Sequence, residues 1–115
     1  MKVSFDDLRV STLFNDLDLM VKKIGFELTK KIKKRYEQLR AAENFAIYLK
    51  TGLGSPHPLY ENLKGRYGVW VNKHIRLIVK PVTDDLSIQS LTKCEEIIIE
   101  GVVDYHGNKT TTYIP

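Results

Sequence analysis

From Leu8 to Ile24 apolar side chains recur at Leu13, Leu17, Met20, Val21 and Ile24, every third or fourth position, which is the stripe of an amphipathic helix. Asp6 or Asp7 is placed to cap its start, and Gly25 to end it. Ahead of it, "MKVSF" alternates as a short strand does. After Gly25 the helical period resumes in "FELTKKIKKRYEQLRAAENFAIYLKTG", where Leu28, Ile32, Tyr36 and Leu39 share a face and Gly52 supplies the stop. Two helices meeting at one glycine predict an antiparallel helical hairpin. The Gly, Ser and Pro of "TGLGSPHPL" predict a loop, and His57, set between two prolines, reads there as a surface residue.

The period then changes to two. In "RYGVWVNK", Tyr67, Val69 and Val71 alternate with Gly68, Trp70 and Asn72; in "HIRLIVKPV", Ile75, Leu77 and Val79 alternate with Arg76, Ile78 and Lys80. The short polar interval around Asn72 and Lys73 makes this a β-hairpin. Residues 83–94 read as a loop with a short strand. "EEIIIEGVVDY", rich in β-branched residues, is a strand, and 107–115 reads as a loose tail. The expected fold is a single α+β domain over residues 1–115: an N-terminal strand, a two-helix antiparallel hairpin, then a mainly antiparallel sheet carrying the helices on one face and leaving the other open.

Composition narrows the class. With 43% hydrophobic and 28% charged residues, the 115-residue chain has the makeup of an ordinary globular domain. Its one cysteine, Cys94, excludes a disulfide framework and a cysteine-based zinc site. "MKVSFDDLRVSTLF" is neither a signal peptide nor a membrane span, so the expectation is a cytoplasmic protein with no membrane partner. A net charge of +4 favours an anionic partner, nucleic acid above all. The basic run from Lys30 to Arg35 fits either a solvated helix face or a surface for a phosphate backbone.

The last strand carries the candidate chemistry. If Ile97, Ile99, Gly101, Val103 and Tyr105 face the core, strict alternation puts Glu100, Asp104 and His106 on the open face with Arg76 and Lys80, and Lys64 reaches the rim. Cleaving RNA without a metal needs a base for the 2′-hydroxyl proton, an acid for the leaving 5′-oxygen and cations for the phosphate. His106 suits acid–base work, Asp104 could orient it or act as base, and the planar fork of Arg76 suits a phosphate. Tyr105 points inward in a regular strand, so only a twist or bulge would bring it to a substrate. No phosphate-binding glycine loop, metal-ligand spacing or nucleophile elbow competes with this set, and no metal or cofactor is expected.

The segment "YENLKGRYGVWVNKHIRLIVK", with the later "VVDYH", resembles the RelE/ParE toxin superfamily and within it the HigB-like plasmid-maintenance killer branch. The resemblance implies the toxin of a type II toxin–antitoxin system, a ribosome-dependent endoribonuclease that cleaves translated mRNA on the 70S ribosome. Its cognate antitoxin would be of the helix-turn-helix type. It also implies catalytic roles for Asp104, Tyr105 and His106, a phosphate contact for Arg76 and a role for Lys64 of the L-K-G motif. Lys80, Lys73, Arg66 and Glu61 complete the implied RNA-binding surface. Glu61 stands among the three residues before L-K-G, where some HigB-like enzymes carry a histidine, and nine residues follow His106. ParE-like relatives instead poison DNA gyrase without cutting nucleic acid, and an inactive RNA-binding regulator is a further alternative.

Overall fold

A computed structural model describes residues 1–106 and 109–115, the side chains of His106 and Lys109 excepted. Strand β1 (Lys2–Phe5) leads into four helices, α1 (Leu8–Asn15), α2 (Leu17–Ile24), α3 (Phe26–Ala41) and α4 (Phe45–Thr51). Strands β2 (His57–Pro58), β3 (Tyr67–Trp70) and β4 (Ile75–Pro81) follow, with a 3₁₀ turn at Glu61–Leu63 between β2 and β3. Helix α5 (Ile88–Thr92) then precedes the long β5 (Glu96–His106) and β6 (Lys109–Ile114).

The expected helical hairpin is therefore subdivided. The first stripe breaks at Asp16, whose extended backbone ends α1 and whose carboxylate accepts a hydrogen bond from the Leu19 N–H of α2 at 3.1 Å. The second breaks after Ala41, and Asn44 restarts it by accepting from the Ile47 N–H at 2.9 Å. Both are short polar side chains that satisfy amides at a helix start better than they serve a helix interior. Residues 83–94 hold no strand. Ser87 caps α5 there through the Ser90 N–H.

The sheet runs β1-β5-β4-β3-β2, with β6 also on β5. The β2–β3, β3–β4, β4–β5 and β5–β6 pairs are antiparallel, and only β1–β5 is parallel. Partners of β1 lie at 96–99 and those of β6 at 102–106, so the two strands divide the length of β5. Within the segment expected as a loose tail, β6 thus pairs in the sheet, and Ile114 is completely buried. Gly101 permits this closure, because a Cβ there would meet the Ile114 carbonyl oxygen at 2.5 Å.

The core lies between the helices and one sheet face. Val10, Met20, Ile32, Leu39, Phe45 and Tyr48 from the helices meet Val69, Leu77, Val79, Ile97, Ile99 and Val102 from the strands, all fully buried. Four lysines of the basic run, Lys30, Lys31, Lys33 and Lys34, face solvent, while Arg35 is drawn partly inward and donates to Gln38. Burial pushes the Tyr48 phenol up to about 12, against the opposing charge of Arg35, and its hydroxyl donates to the Leu53 carbonyl at 2.5 Å. A phenol whose pKa is raised on folding adds stability below its unfolded value of 10 that is lost as pH climbs through about 12. Tyr48→Phe is expected to lower stability at neutral pH by about 1–2 kcal/mol and to flatten this alkaline decline, as circular dichroism melts across that pH range would record.

Candidate active site on the open sheet face

The site is shaped by a bulge. Val79 pairs with Ile99 but Ile78 pairs with Gly101, so Glu100 has no counterpart on β4. The extra residue reverses the alternation of the described side chains that follow it, Val102 to Tyr105. Val102 and Asp104 fall on the helix-facing side, opposite Leu77 and Ile75, whereas Val103 and Tyr105 lie on the face of Arg76. The strict alternation that put Asp104 on the open face and Tyr105 in the core is corrected accordingly. Asp104 is 7% exposed and Tyr105 half-buried. The side chain of His106 lies outside the described residues.

Arg66 secures the bulge. Its Nε donates to Glu100 Oε1 at 2.6 Å and its Nη2 to Oε2 at 3.2 Å, a two-pronged pair that raises the guanidinium pKa further. Its Nη1 donates to the Lys64 carbonyl at 3.2 Å. Arg66, expected on the RNA-binding surface, is thereby committed to holding β5 in shape.

Arg76 reaches the open face with its guanidinium carbon 4.0 Å from the centre of the Trp70 ring and 5.8 Å from that of Tyr105. Its Nη1 donates to the Asn72 carbonyl at 2.9 Å and the Ile75 carbonyl at 3.3 Å. Burial lowers its pKa, and the neighbouring Tyr105 opposes the shift. Tyr105 is positioned by its own backbone: its N–H donates to the His74 carbonyl at 2.8 Å, and His74 Nδ1 donates to its carbonyl at 3.1 Å. Asn72 holds the turn, its side-chain oxygen accepting from the N–H groups of His74 and Ile75.

Arg76, Tyr105 and Trp70 line an open cavity of about 470 Å³ with Ser55, His57 and Leu59. Trp70 keeps 39% of its surface exposed there. Four of these six residues, Ser55, His57, Leu59 and Trp70, were not read as site members in the sequence. Trp70 sits directly opposite Arg76 in the hairpin register, so the register itself was the signal. His57 enters through β2, a strand too short for periodicity to reveal. Lys64, Glu61, Lys73 and Lys80 are exposed and do not line the cavity. Glu61 holds a left-handed backbone, φ 59°, costly for a residue with a side chain. Among the described residues no cluster of three His, Cys, Asp or Glu side chains is assembled for a metal ion. No helix among them is long and apolar enough to cross a membrane.

Helices on one face of a mainly antiparallel sheet, with a cationic and aromatic cavity on the other, define a small α+β fold class. Within it, a chain of the YoeB–YefM complex from Staphylococcus aureus has a similar fold, with a TM-score of 0.53 over 92% of this chain and 97% of that one, at 22% sequence identity. No protein-family profile and no curated protein matches the sequence.

Proposed function

We propose that this protein is the toxin of a type II toxin–antitoxin system and cleaves translated mRNA on the ribosome by metal-independent acid–base chemistry. The observation that carries the reading is Arg76: a guanidinium stacked on an exposed Trp70, beside Tyr105, in an open cavity on a sheet face. Such a group binds a phosphate bidentately and opposes the charge that gathers on it during cleavage. Trp70 and Tyr105 offer ring faces to adjoining bases. The fold shared with a chain of a toxin–antitoxin complex supports the same reading, and so does the HigB-like resemblance of the L-K-G and D-Y-H segments.

In this reading Arg76 holds the scissile phosphate and Tyr105 packs against the substrate. His106 exchanges a proton with the reacting oxygens, and Asp104, behind the sheet, supports the strand end that carries them. Lys64, Lys73 and Lys80 add positive potential around the cavity for the RNA backbone. The partners are the mRNA in the ribosome and a cognate antitoxin.

Primer extension on a defined mRNA in a reconstituted bacterial translation reaction tests the proposal. Wild-type protein is expected to cut within the reading frame only when ribosomes are present, and His106→Ala to cut at least about a hundredfold more slowly while remaining folded. Intact mRNA in every lane would overturn it and direct attention to gyrase supercoiling, the activity of the ParE-like alternative.

A further inference from the structure

His57 is the residue of the cavity that neither the strand pattern nor the D-Y-H segment accounts for. Several features place it with more care than a loop histidine needs. The loop before it is tied to β3 by the Trp70 N–H, which donates to the Gly54 carbonyl at 2.6 Å. Ser55 holds a positive φ of 43°, a conformation disfavoured for a residue with a Cβ, and its carbonyl is aimed at the imidazole, 3.0 Å from Nδ1. His57 itself is paired across the sheet with Gly68, and its ring lies so close over that residue that a Cβ there would meet Nε2 at 3.1 Å. Glycine at 68 leaves room for the ring.

The hydrogen bond fixes the proton. A carbonyl oxygen can only accept, so Nδ1 carries the hydrogen and, in the neutral ring, Nε2 keeps its lone pair. The groups facing this imidazole across the cavity are Arg76 from β4 and Tyr105 from β5; β3 contributes Gly68 and Trp70, which do not titrate. A neutral imidazole whose Nε2 keeps its lone pair, in one cavity with the Arg76 guanidinium, has the equipment of a general base.

The geometry points to His57 as the general base of the cleavage reaction, an inference that rests on the ribonuclease reading above. Nε2 takes the proton of the ribose 2′-hydroxyl. The 2′-oxygen then bonds to the phosphorus as the P–O5′ bond breaks, leaving a 2′,3′-cyclic phosphate. The departing 5′-oxygen keeps the electron pair of the broken bond and takes a proton from the His106 imidazolium. Arg76 faces the phosphate throughout, and both imidazoles afterwards return to their starting states by exchange with water.

The test is single-turnover cleavage of ribosome-bound mRNA by wild type, His57→Gln and Gly68→Ala, from about pH 5 to about pH 9. A base must be unprotonated to act, so the wild-type rate is expected to fall toward the acid end of that range. His57→Gln is expected to be about a hundredfold slower and to lose that acid-side decline, with ribosome binding by sedimentation unchanged. Gly68→Ala, which keeps the imidazole and displaces it, is expected to be slowed with the decline retained. A His57→Gln protein that cleaves at the wild-type rate with the same pH profile would overturn the role of His57 and leave the ribonuclease reading standing. Absence of ribosome-dependent cleavage by wild type would overturn both.

Discussion

Under the proposed function, replacing Arg76 with alanine is expected to slow mRNA cleavage by about a hundredfold to a thousandfold, the range found when a preorganised donor to a developing anion is removed. The size of the effect follows from how the side chain is held. The guanidinium carbon lies 4.0 Å from the centre of the Trp70 ring and two carbonyls take hydrogen bonds from Nη1, so the guanidinium is already in place before substrate arrives. Arg76→Lys separates charge from shape, since an ammonium keeps the charge but loses the planar fork and the stacked contact. Its rate is expected to lie between those of wild type and Arg76→Ala. Loss of the two carbonyl contacts costs about 1–2 kcal/mol, so both variants remain folded and a thermal melt will show it. Wild-type cleavage by a folded Arg76→Ala would remove the central observation of the proposed function.

Ending the chain at His106 is expected to destabilise the domain by about 3–5 kcal/mol, a large share of what holds a domain of this size together. Deleting 107–115 removes β6, takes away the fully buried Ile114 and leaves the 102–106 half of β5 without its partner on that edge. Burial of one isoleucine contributes about 2–3 kcal/mol, and the released edge amides and carbonyls of β5 add to the loss. Urea denaturation followed by circular dichroism would measure the change. A disposable tail would leave the midpoint where it was, and that result would contradict the strand pairing.

The sequence made some levels of this structure readable and concealed others for identifiable reasons. The 67–81 hairpin was legible because Tyr67, Val69, Ile75, Leu77 and Val79 alternate cleanly and all bury. Helix existence was legible and helix limits were not, since Asp16 and Asn44 interrupt stripes that continue on both sides of them. The costliest omission was the Glu100 bulge. "IIIEGVVDY" is apolar on both faces of the strand, so a one-residue insertion leaves no trace in its periodicity, and the Gly next to Glu100 was the available cue. That bulge separates Asp104 from Arg76 and brings Tyr105 to it. Arg76 and Tyr105 could be proposed from the chain alone, whereas Trp70 and His57 join them only through the register of β2, β3 and β4.

The division of β5 between β1 and β6 also sets an order of events during synthesis. Strand β1 is made ahead of the other described elements, yet the residues it pairs with, 96–99, follow the five described helices and three other strands. The helices bring mostly local contacts and can form as they emerge, but the sheet they pack against lacks its middle until β5 is out. Arg76 is translated well before Tyr105, and the cavity they line is completed only when β5 settles beside β4. A growing chain therefore carries the parts of this site without the site itself. Whatever activity the cavity has begins only once β5, the strand that joins its two sides, is in place beside β4.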